Sequence, residues 1–118
     1  MNIIALSNEN MSKATIYHLT KSPDVEKMSE VSDMEEITVS DWCKYEEADY
    51  KDPEKVNTIL AIRDEITGKA YATNSATFQR SFDEIVSIFG NTGYTVKVKH
   101  GTSKNGRDFI TAVFQREV

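Results

Sequence analysis

Residues 94–114, YTVKVKHGTSKNGRDFITAVF, carry the clearest structural pattern of the chain. Apolar and polar residues alternate from Tyr94 to Lys99, which is the period of a β-strand with one buried face. The segment 101–107 contains Asn105 and Gly106, a pair that supplies the positive φ angles of tight turns. A second run of β-forming residues then completes a predicted β-hairpin.

Most of the clustered positive charge lies on this hairpin. Lys97 and Lys99 occupy its polar face, and the turn adds Lys104 and Arg107. The rest of the chain is acidic: residues 24–55 carry twelve carboxylates against four lysines, and the formal net charge is -5. The charge is therefore separated along the chain, and the basic hairpin is a candidate surface for a polyanion.

Length and composition are those of one ordinary folded domain. A chain of 118 residues with 39% hydrophobic content can bury one core but not two. We expect residues 1–13 to be a flexible N-terminus and residues 14–118 to form the domain. There is no run of 18 apolar residues, no secretory signal and only one cysteine. These features predict a cytoplasmic protein without disulfides or a membrane partner.

Further segments ahead of the hairpin have recognisable patterns. Residues 14–19 alternate like a short strand, and Ser22 and Pro23 can then begin a brief helix that ends near Met28. Residues 37–45 contain β-forming residues whose alternation shifts near Asp41, as a β-bulge would produce. The acidic segment 46–57 has no periodicity and predicts a loop. Residues 58–63 and 69–73 flank a glycine-containing turn and predict a second hairpin.

One long helix is predicted between the two hairpins. Its apolar residues recur at a period of 3.6 and form a single stripe that faces the core: Phe78, Phe82, Ile85, Val86 and Phe89. Asn74, Ser75 or Thr77 can cap its start, and Gly90 stands where a C-terminal glycine belongs.

In chain order the main body is three strands, a helix and two strands, with an extra strand in front. Five strands with a helix between the third and the fourth follow the order of the OB-fold, a partly open barrel that binds oligonucleotides. The protein is thus predicted to be mainly β with one helix. The acidic segment 46–57 and the basic turn 101–107 would flank the binding strands. An α+β sheet covered by one helix fits the same order.

Three segments resemble small single-stranded DNA-binding proteins of bacteriophages that infect Gram-positive bacteria. They are residues 72–78 (ATNSATF), the preceding strand 58–62, and residues 101–110 (GTSKNGRDFI). The resemblance spans roughly residues 14–114. It implies an OB-type barrel that coats single strands in phage DNA replication or recombination. It also implies the host cytoplasm as location and phage or host replication proteins as further partners.

Binding of a single strand needs cations for the phosphates and flat side chains for the bases. The candidate phosphate-binding residues are Arg63, Lys69, Lys97, Lys99, Lys104 and Arg107. The candidate stacking residues are Trp42, Tyr45 and Tyr71, since each lies on the more polar side of its strand or beside a loop. Each of these rings could instead belong to the core. Phe109 and Phe114 point to opposite faces of one strand, so at most one lies wholly in a one-sided core.

Nothing in the sequence predicts catalysis, a cofactor or a metal site. His18 and His100 have no histidine or cysteine partner at ligand spacing. The acidic segment 46–52 lacks the spacing and the central glycine of an EF-hand. Cys43 has no histidine near it in sequence, which favours an inert thiol.

A different hypothesis is a phage-encoded inhibitor of a host nucleic-acid enzyme. The acidic residues 24–55 would then imitate a phosphate backbone. The sequence leaves the oligomeric state open between monomer and dimer. It also leaves open the base preference, the protein partners and the choice between DNA and RNA.

Overall fold

A computed structural model describes all 118 residues of the chain. In chain order the elements are β1 (Asn2–Leu6), α1 (Lys13–Thr20), β2 (Glu26–Lys27), a 3-10 turn (Met28–Glu30), β3 (Glu35–Ala48), β4 (Val56–Asp64), β5 (Ala70–Thr73), α2 (Ala76–Phe89), β6 (Tyr94–Thr102) and β7 (Asp108–Glu117). The protein is mainly β, as predicted, but it has two α-helices. Neither helix has the length and apolar content needed to cross a bilayer.

The strands form one mixed sheet in the order β2-β5-β4-β3-β6-β7, with β1 paired to β3. β3 belongs to both halves of this sheet, because residues 39–48 pair with β4 and residues 35–38 pair with β6. The register shifts between Val39 and Asp41, so the bulge predicted near Asp41 is present. Bulges bend a strand and increase its twist. The sheet accordingly curls into a half-barrel.

α2 covers the inner face of the half-barrel with its apolar stripe. Phe78 and Phe82 are buried, and Phe82 packs edge-on against Trp42 with ring centroids 5.9 Å apart. The Ser75 hydroxyl caps the helix by accepting a hydrogen bond from the Phe78 amide at 3.2 Å, and Gly90 ends the helix at a φ of 90°. The helix predicted from the 3.6-residue period is confirmed.

The hairpin predicted over residues 94–114 is also confirmed, as β6 and β7. The alternating apolar residues of β6 are fully buried on the inner face: Tyr94, Val96 and Val98. Phe114 of β7 packs against this core and stacks on Phe89 of α2 with ring centroids 3.9 Å apart. Phe109 lies on the outer face, opposite to Phe114 as predicted.

A second, smaller apolar layer lies on the outer face of β3, β4 and β5. Leu19 of α1 is fully buried there together with Cys43, Ala61 and Ala70. The prediction of a strand over residues 14–19 is therefore wrong. The hydroxyl of Ser12 caps α1 by accepting a hydrogen bond from the Thr15 amide at 3.1 Å. This cap and the burial of Leu19 outweigh the short polar-apolar alternation.

The rest of the N-terminal region also differs from prediction. The extra strand lies at residues 2–6, inside the segment 1–13 expected to be flexible, and it pairs antiparallel with residues 43–46 of β3. The helix predicted over residues 22–28 does not form. The chain instead makes the short parallel strand β2 beside β5 and then the 3-10 turn. Pairing with the free edge of β5 outweighs the local helix signal of Ser22 and Pro23.

Truncation within the helix stripe should destabilise the fold. Phe82 is 1% exposed and contacts the rings of Trp42 and Phe78, so Phe82→Ala leaves a cavity in the core. We expect the free energy of unfolding, measured by urea denaturation, to fall by about 3–5 kcal/mol. Ile88→Ala on the exposed face of the same helix is the control and should change it by less than about 0.5 kcal/mol. A Phe82→Ala protein as stable as wild type would contradict the core assignment.

Candidate nucleic-acid interface

A groove of about 740 Å³ crosses the molecule where the half-barrel stays open. The path of hydrogen-bonded strands ends at β2 on one side and at β7 on the other, and these two strands do not pair with each other. The groove lies between them. It is lined by Lys27 of β2 and Ser29 of the 3-10 turn, by residues 72–75 and Thr77 at the β5–α2 junction, by His100 and residues 108–110 of the hairpin, and by Tyr45 and Ile59.

Phe109 forms an exposed apolar wall of this groove. It pairs across the hairpin with Gly101, and the two residues share the outer face of the sheet. A Cβ atom placed on Gly101 would lie 2.5 Å from Cζ of Phe109, so the tip of the ring occupies the space of the missing side chain. Phe109 is nevertheless 38% exposed. The ring therefore covers the glycine and still presents surface to the groove.

Tyr45 lines the groove and also belongs to the second apolar layer. It is 4% exposed, and this burial, with the nearby charges of Glu47 and Cys43, raises the pKa of its phenol to about 12. Lys21 at the end of α1 lies 5.9 Å from the ring centroid and forms an ion pair with Glu47. Tyr45 is the one predicted stacking residue that lines the groove, but it offers no free ring face.

The base of the β6–β7 turn is tied to the segment between β2 and β3. The amide of His100 donates a hydrogen bond to Oδ1 of Asp33 at 2.8 Å, and Nε2 of its ring donates to the carbonyl oxygen of Val31 at 2.7 Å. On the other strand, Asp108 accepts a hydrogen bond from the Thr102 hydroxyl at 3.2 Å. The two contacts of His100 hold the hairpin side of the groove against the segment between β2 and β3.

The predicted cations of the hairpin form an unpaired basic face. None of them has a carboxylate oxygen within 4.0 Å: Lys97, Lys99, Lys104 and Arg107. Lys97, Lys99 and Gly101 follow one another at two-residue steps on the outer face of β6, and Gly101 pairs with Phe109. Lys104 and Arg107 lie in the exposed turn. The basic face therefore begins at the wall of the groove.

The other predicted site residues lie elsewhere. In contrast to the prediction, Trp42 and Tyr71 are not on a polar side but in the core, 7% and 5% exposed. The indole N–H of Trp42 donates to a backbone carbonyl oxygen at 2.8 Å, and the β3 bulge turns this residue inward. Arg63 binds Asp41, and Arg63 and Lys69 line a separate cavity of about 370 Å³ near the end of α1. None of these four residues reaches the groove.

Tyr45 is the one groove residue that the sequence predicted as a site residue. Among the groove residues that were not predicted are Lys27, His100 and Phe109. Lys27 lay in the segment predicted to be a helix, and His100 was isolated in sequence. One signal could have found Phe109, because folding the hairpin about its turn sets it opposite Gly101. Aromatic side chains cover glycines on neighbouring strands in this way.

No group of three or more His, Cys, Asp and Glu side chains is arranged to hold a metal ion. Cys43 is fully buried, and this burial raises the pKa of its thiol to about 11. At neutral pH the thiol is therefore protonated and a poor nucleophile. The groove itself offers apolar contact, hydrogen-bonding groups and neighbouring positive charge.

No family model matches the sequence, and no curated protein or solved structure is significantly similar to it. The relation to phage single-stranded DNA-binding proteins stays a resemblance of short segments. Function is therefore inferred from the groove and from the basic face beside it.

The buried phenols should make stability fall at alkaline pH. Burial raises the pKa of Tyr45 and of Tyr94 from 10.0 to about 12. Between these two pKa values the folded protein binds more protons than the unfolded chain. The neutral phenols therefore contribute their full share of stability below about pH 10, and this contribution is lost as the pH rises towards 12. We expect the melting temperature to fall over this range and to fall less steeply in Tyr45→Phe. Equal slopes for the variant and wild type would show that the Tyr45 phenol is not held neutral by the fold.

Proposed function

We propose that the protein binds single-stranded DNA without sequence preference and acts in phage DNA replication or recombination. The observation that carries the proposal is the groove at the open seam, where an exposed aromatic ring, Phe109, meets the unpaired basic face. Single strands are bound by this combination, since cations contact the phosphates and flat rings stack on unpaired bases. Phosphate contacts and stacking discriminate poorly among the four bases, so the affinity should depend only weakly on the DNA sequence.

The connectivity of the half-barrel supports an OB-type assignment. β3 to β7 follow one another in the OB order, with α2 between the third and the fourth of these strands. β3 also pairs with both the second and the fourth of them. OB-folds bind oligonucleotides on their second and third strands and on adjoining loops. Here α1 packs on part of that outer face, which leaves the end next to β7 for a ligand.

The net charge of -5 matters less for binding than the positions of the charges, and five of the carboxylates near or within the sheet are held in ion pairs. Ion pairs join Asp41 to Arg63 and Glu47 to Lys21. Glu36, which pairs in register with Lys97, is bound by Arg116 at 2.9 Å. At physiological salt, exposed charges are screened beyond about 8 Å. A strand near the hairpin therefore interacts mainly with the unpaired cations of the basic face.

The alternative, an inhibitor whose residues 24–55 imitate a phosphate backbone, has less structural support. Such a mimic needs a row of free carboxylates, whereas several carboxylates of this segment are engaged within the chain. Asp33 accepts a hydrogen bond from the His100 amide at 2.8 Å. Asp49 accepts from the Lys51 amide at 2.8 Å and from the Asn57 side chain at 3.3 Å, and these hydrogen bonds lower its pKa.

Titration of a labelled single strand of about 20 nucleotides, followed by fluorescence anisotropy, tests the proposal. A duplex of the same length is the control, and both are measured at about 50 mM and 200 mM salt. We expect selective binding of the single strand and a steep loss of affinity with salt. Equal affinity for the duplex, or no binding at low salt, would overturn the proposal. Binding to a host nucleic-acid enzyme without DNA binding would instead support the inhibitor.

Removal of the turn cations should weaken binding without unfolding the protein. Lys104 and Arg107 are exposed and unpaired, so the double change to Ala removes charge but little stability. We expect single-strand affinity to fall by about fivefold or more, at an unchanged melting temperature. The control is the double Ala change at Lys13 and Lys51, two exposed residues that lie in α1 and in the β3–β4 loop and do not line the groove. Unchanged affinity in the turn variant would remove the turn from the interface.

Charge reversal on β6 should change the salt dependence of binding. With Glu at both Lys97 and Lys99, affinity should fall for every sequence tested. The slope of log K against log salt should become shallower by about 1.4, since each single-strand phosphate contact contributes about 0.7. Glu at both Lys13 and Lys51 changes the net charge equally and serves as the control. The same slope in wild type and in the β6 variant would mean that the strand does not follow this face.

A further inference from the structure

We propose that Phe109 is a base-stacking platform, and that the groove holds one nucleobase against the exposed side of its ring. This inference rests on the proposed function and deepens it, because it names the part of the strand that the groove recognises. It assigns the recognition to a residue pair, Gly101 and Phe109, that the charge pattern of the sequence does not reveal.

The ring lies directly over the glycine that pairs with Phe109 across the hairpin. A Cβ atom on Gly101 would lie 2.5, 2.9 and 3.1 Å from Cζ, Cε2 and Cε1 of Phe109. The ring tip therefore sits in a space that only glycine leaves free. A ring that is already held in place loses little conformational freedom when a ligand contacts it, which favours binding.

The backbone that carries the ring is hydrogen-bonded strand, not free loop. Gly101 and Thr102 of β6 pair with Phe109 and Asp108 of β7. The turn beyond them is closed by hydrogen bonds from the Ser103 amide to the Arg107 carbonyl at 2.8 Å and from the Gly106 amide to the Ser103 carbonyl at 2.9 Å. Binding residues on regular elements are positioned more accurately than those on loops.

The surroundings of the ring suit a nucleotide. Asn74 and Thr77 also line the groove, and their side chains make no hydrogen bond within the chain. An amide and a hydroxyl supply donors and acceptors for the edges of a base. Lys99 shares the outer face of β6 with Gly101, so its ammonium group lies on the side where a phosphate of the same strand can pass.

The need to cover Gly101 does not by itself explain why residue 109 is a phenylalanine. A leucine could protect Gly101 with apolar surface, without a flat ring at the wall of the groove. Three aromatic residues are more than a third exposed, namely Tyr17, Tyr50 and Phe109, and Phe109 is the one that lines the groove. Its exposed surface is thus next to both the polar groups of the β5–α2 junction and the basic face.

The test compares strands with and without bases. The probes are an oligothymidine of about 20 nucleotides and an abasic strand of the same length, which keeps the phosphates. The variants are Phe109→Leu, which covers Gly101 without a flat ring, Phe109→Trp, which keeps one, and the control Tyr17→Leu. Phe109→Leu should bind oligothymidine about 5- to 100-fold more weakly and the abasic strand as wild type does. Phe109→Trp and Tyr17→Leu should retain affinity.

The outcomes separate the platform from the proposed function. If wild type binds oligothymidine and Phe109→Leu binds it equally well, the platform alone is overturned. The same holds if Phe109→Leu loses affinity equally for oligothymidine and for the abasic strand. No wild-type binding overturns the proposed function and the platform with it. Phe109→Trp gives a second measurement that does not need the Leu variant to fold. Its added indole emission, measured as the difference from wild type, which contains Trp42, should be quenched by oligothymidine and not by the abasic strand, and equal added emission with both also overturns the platform.

Discussion

β3 pairs with β4 along one half of its length and with β6 along the other, so it must change direction between them. Buried polar groups hold this bend. The carboxylate of Asp64 accepts a hydrogen bond from the Thr38 amide at 3.0 Å, and the hydroxyls of Thr38 and Thr95 are hydrogen-bonded at 2.9 Å. Asp64 also accepts from the Thr67 hydroxyl at 2.8 Å, which joins the bend to the β4–β5 turn. Burying any of these donors without its hydrogen-bond acceptor would lower the stability of the fold.

The curvature of β3 brings β5 and β7 towards each other without joining them. β2 pairs in parallel with β5 and occupies the edge that β7 would need to close a barrel. α2 fills the inner face and α1 covers part of the outer face, so the seam between the two ends of the sheet is the surface left open. The groove is thus a consequence of incomplete closure, and its walls come from segments about eighty residues apart.

Local sequence patterns predicted the elements in which local preference and burial agree. The stripe of α2, the alternation of β6 and the shift near Asp41 each have one interpretation, and the structure contains all three. The mispredicted elements are those whose structure depends on packing or pairing with residues that are distant in sequence. Residues 14–19 are helical and bury Leu19 against β3 to β5, and β2 pairs with the edge of β5. The basic face followed from the hairpin pattern alone, but the groove depends on the seam, which no local pattern encodes.

Because β3 is hydrogen-bonded along both edges, we expect its amides to be among the best protected from hydrogen exchange. β4 pairs along one edge, and β1 and β6 share the other. β2 is two residues long, and β7 has a partner strand on one side. In hydrogen exchange, amides of such a central strand open with the whole domain, whereas those of short or one-sided strands exchange through smaller fluctuations. The groove spans both classes of strand, because Tyr45 belongs to β3 whereas Lys27 belongs to β2 and Phe109 to β7, so we expect amide exchange to be slow on its Tyr45 side and faster on the other two.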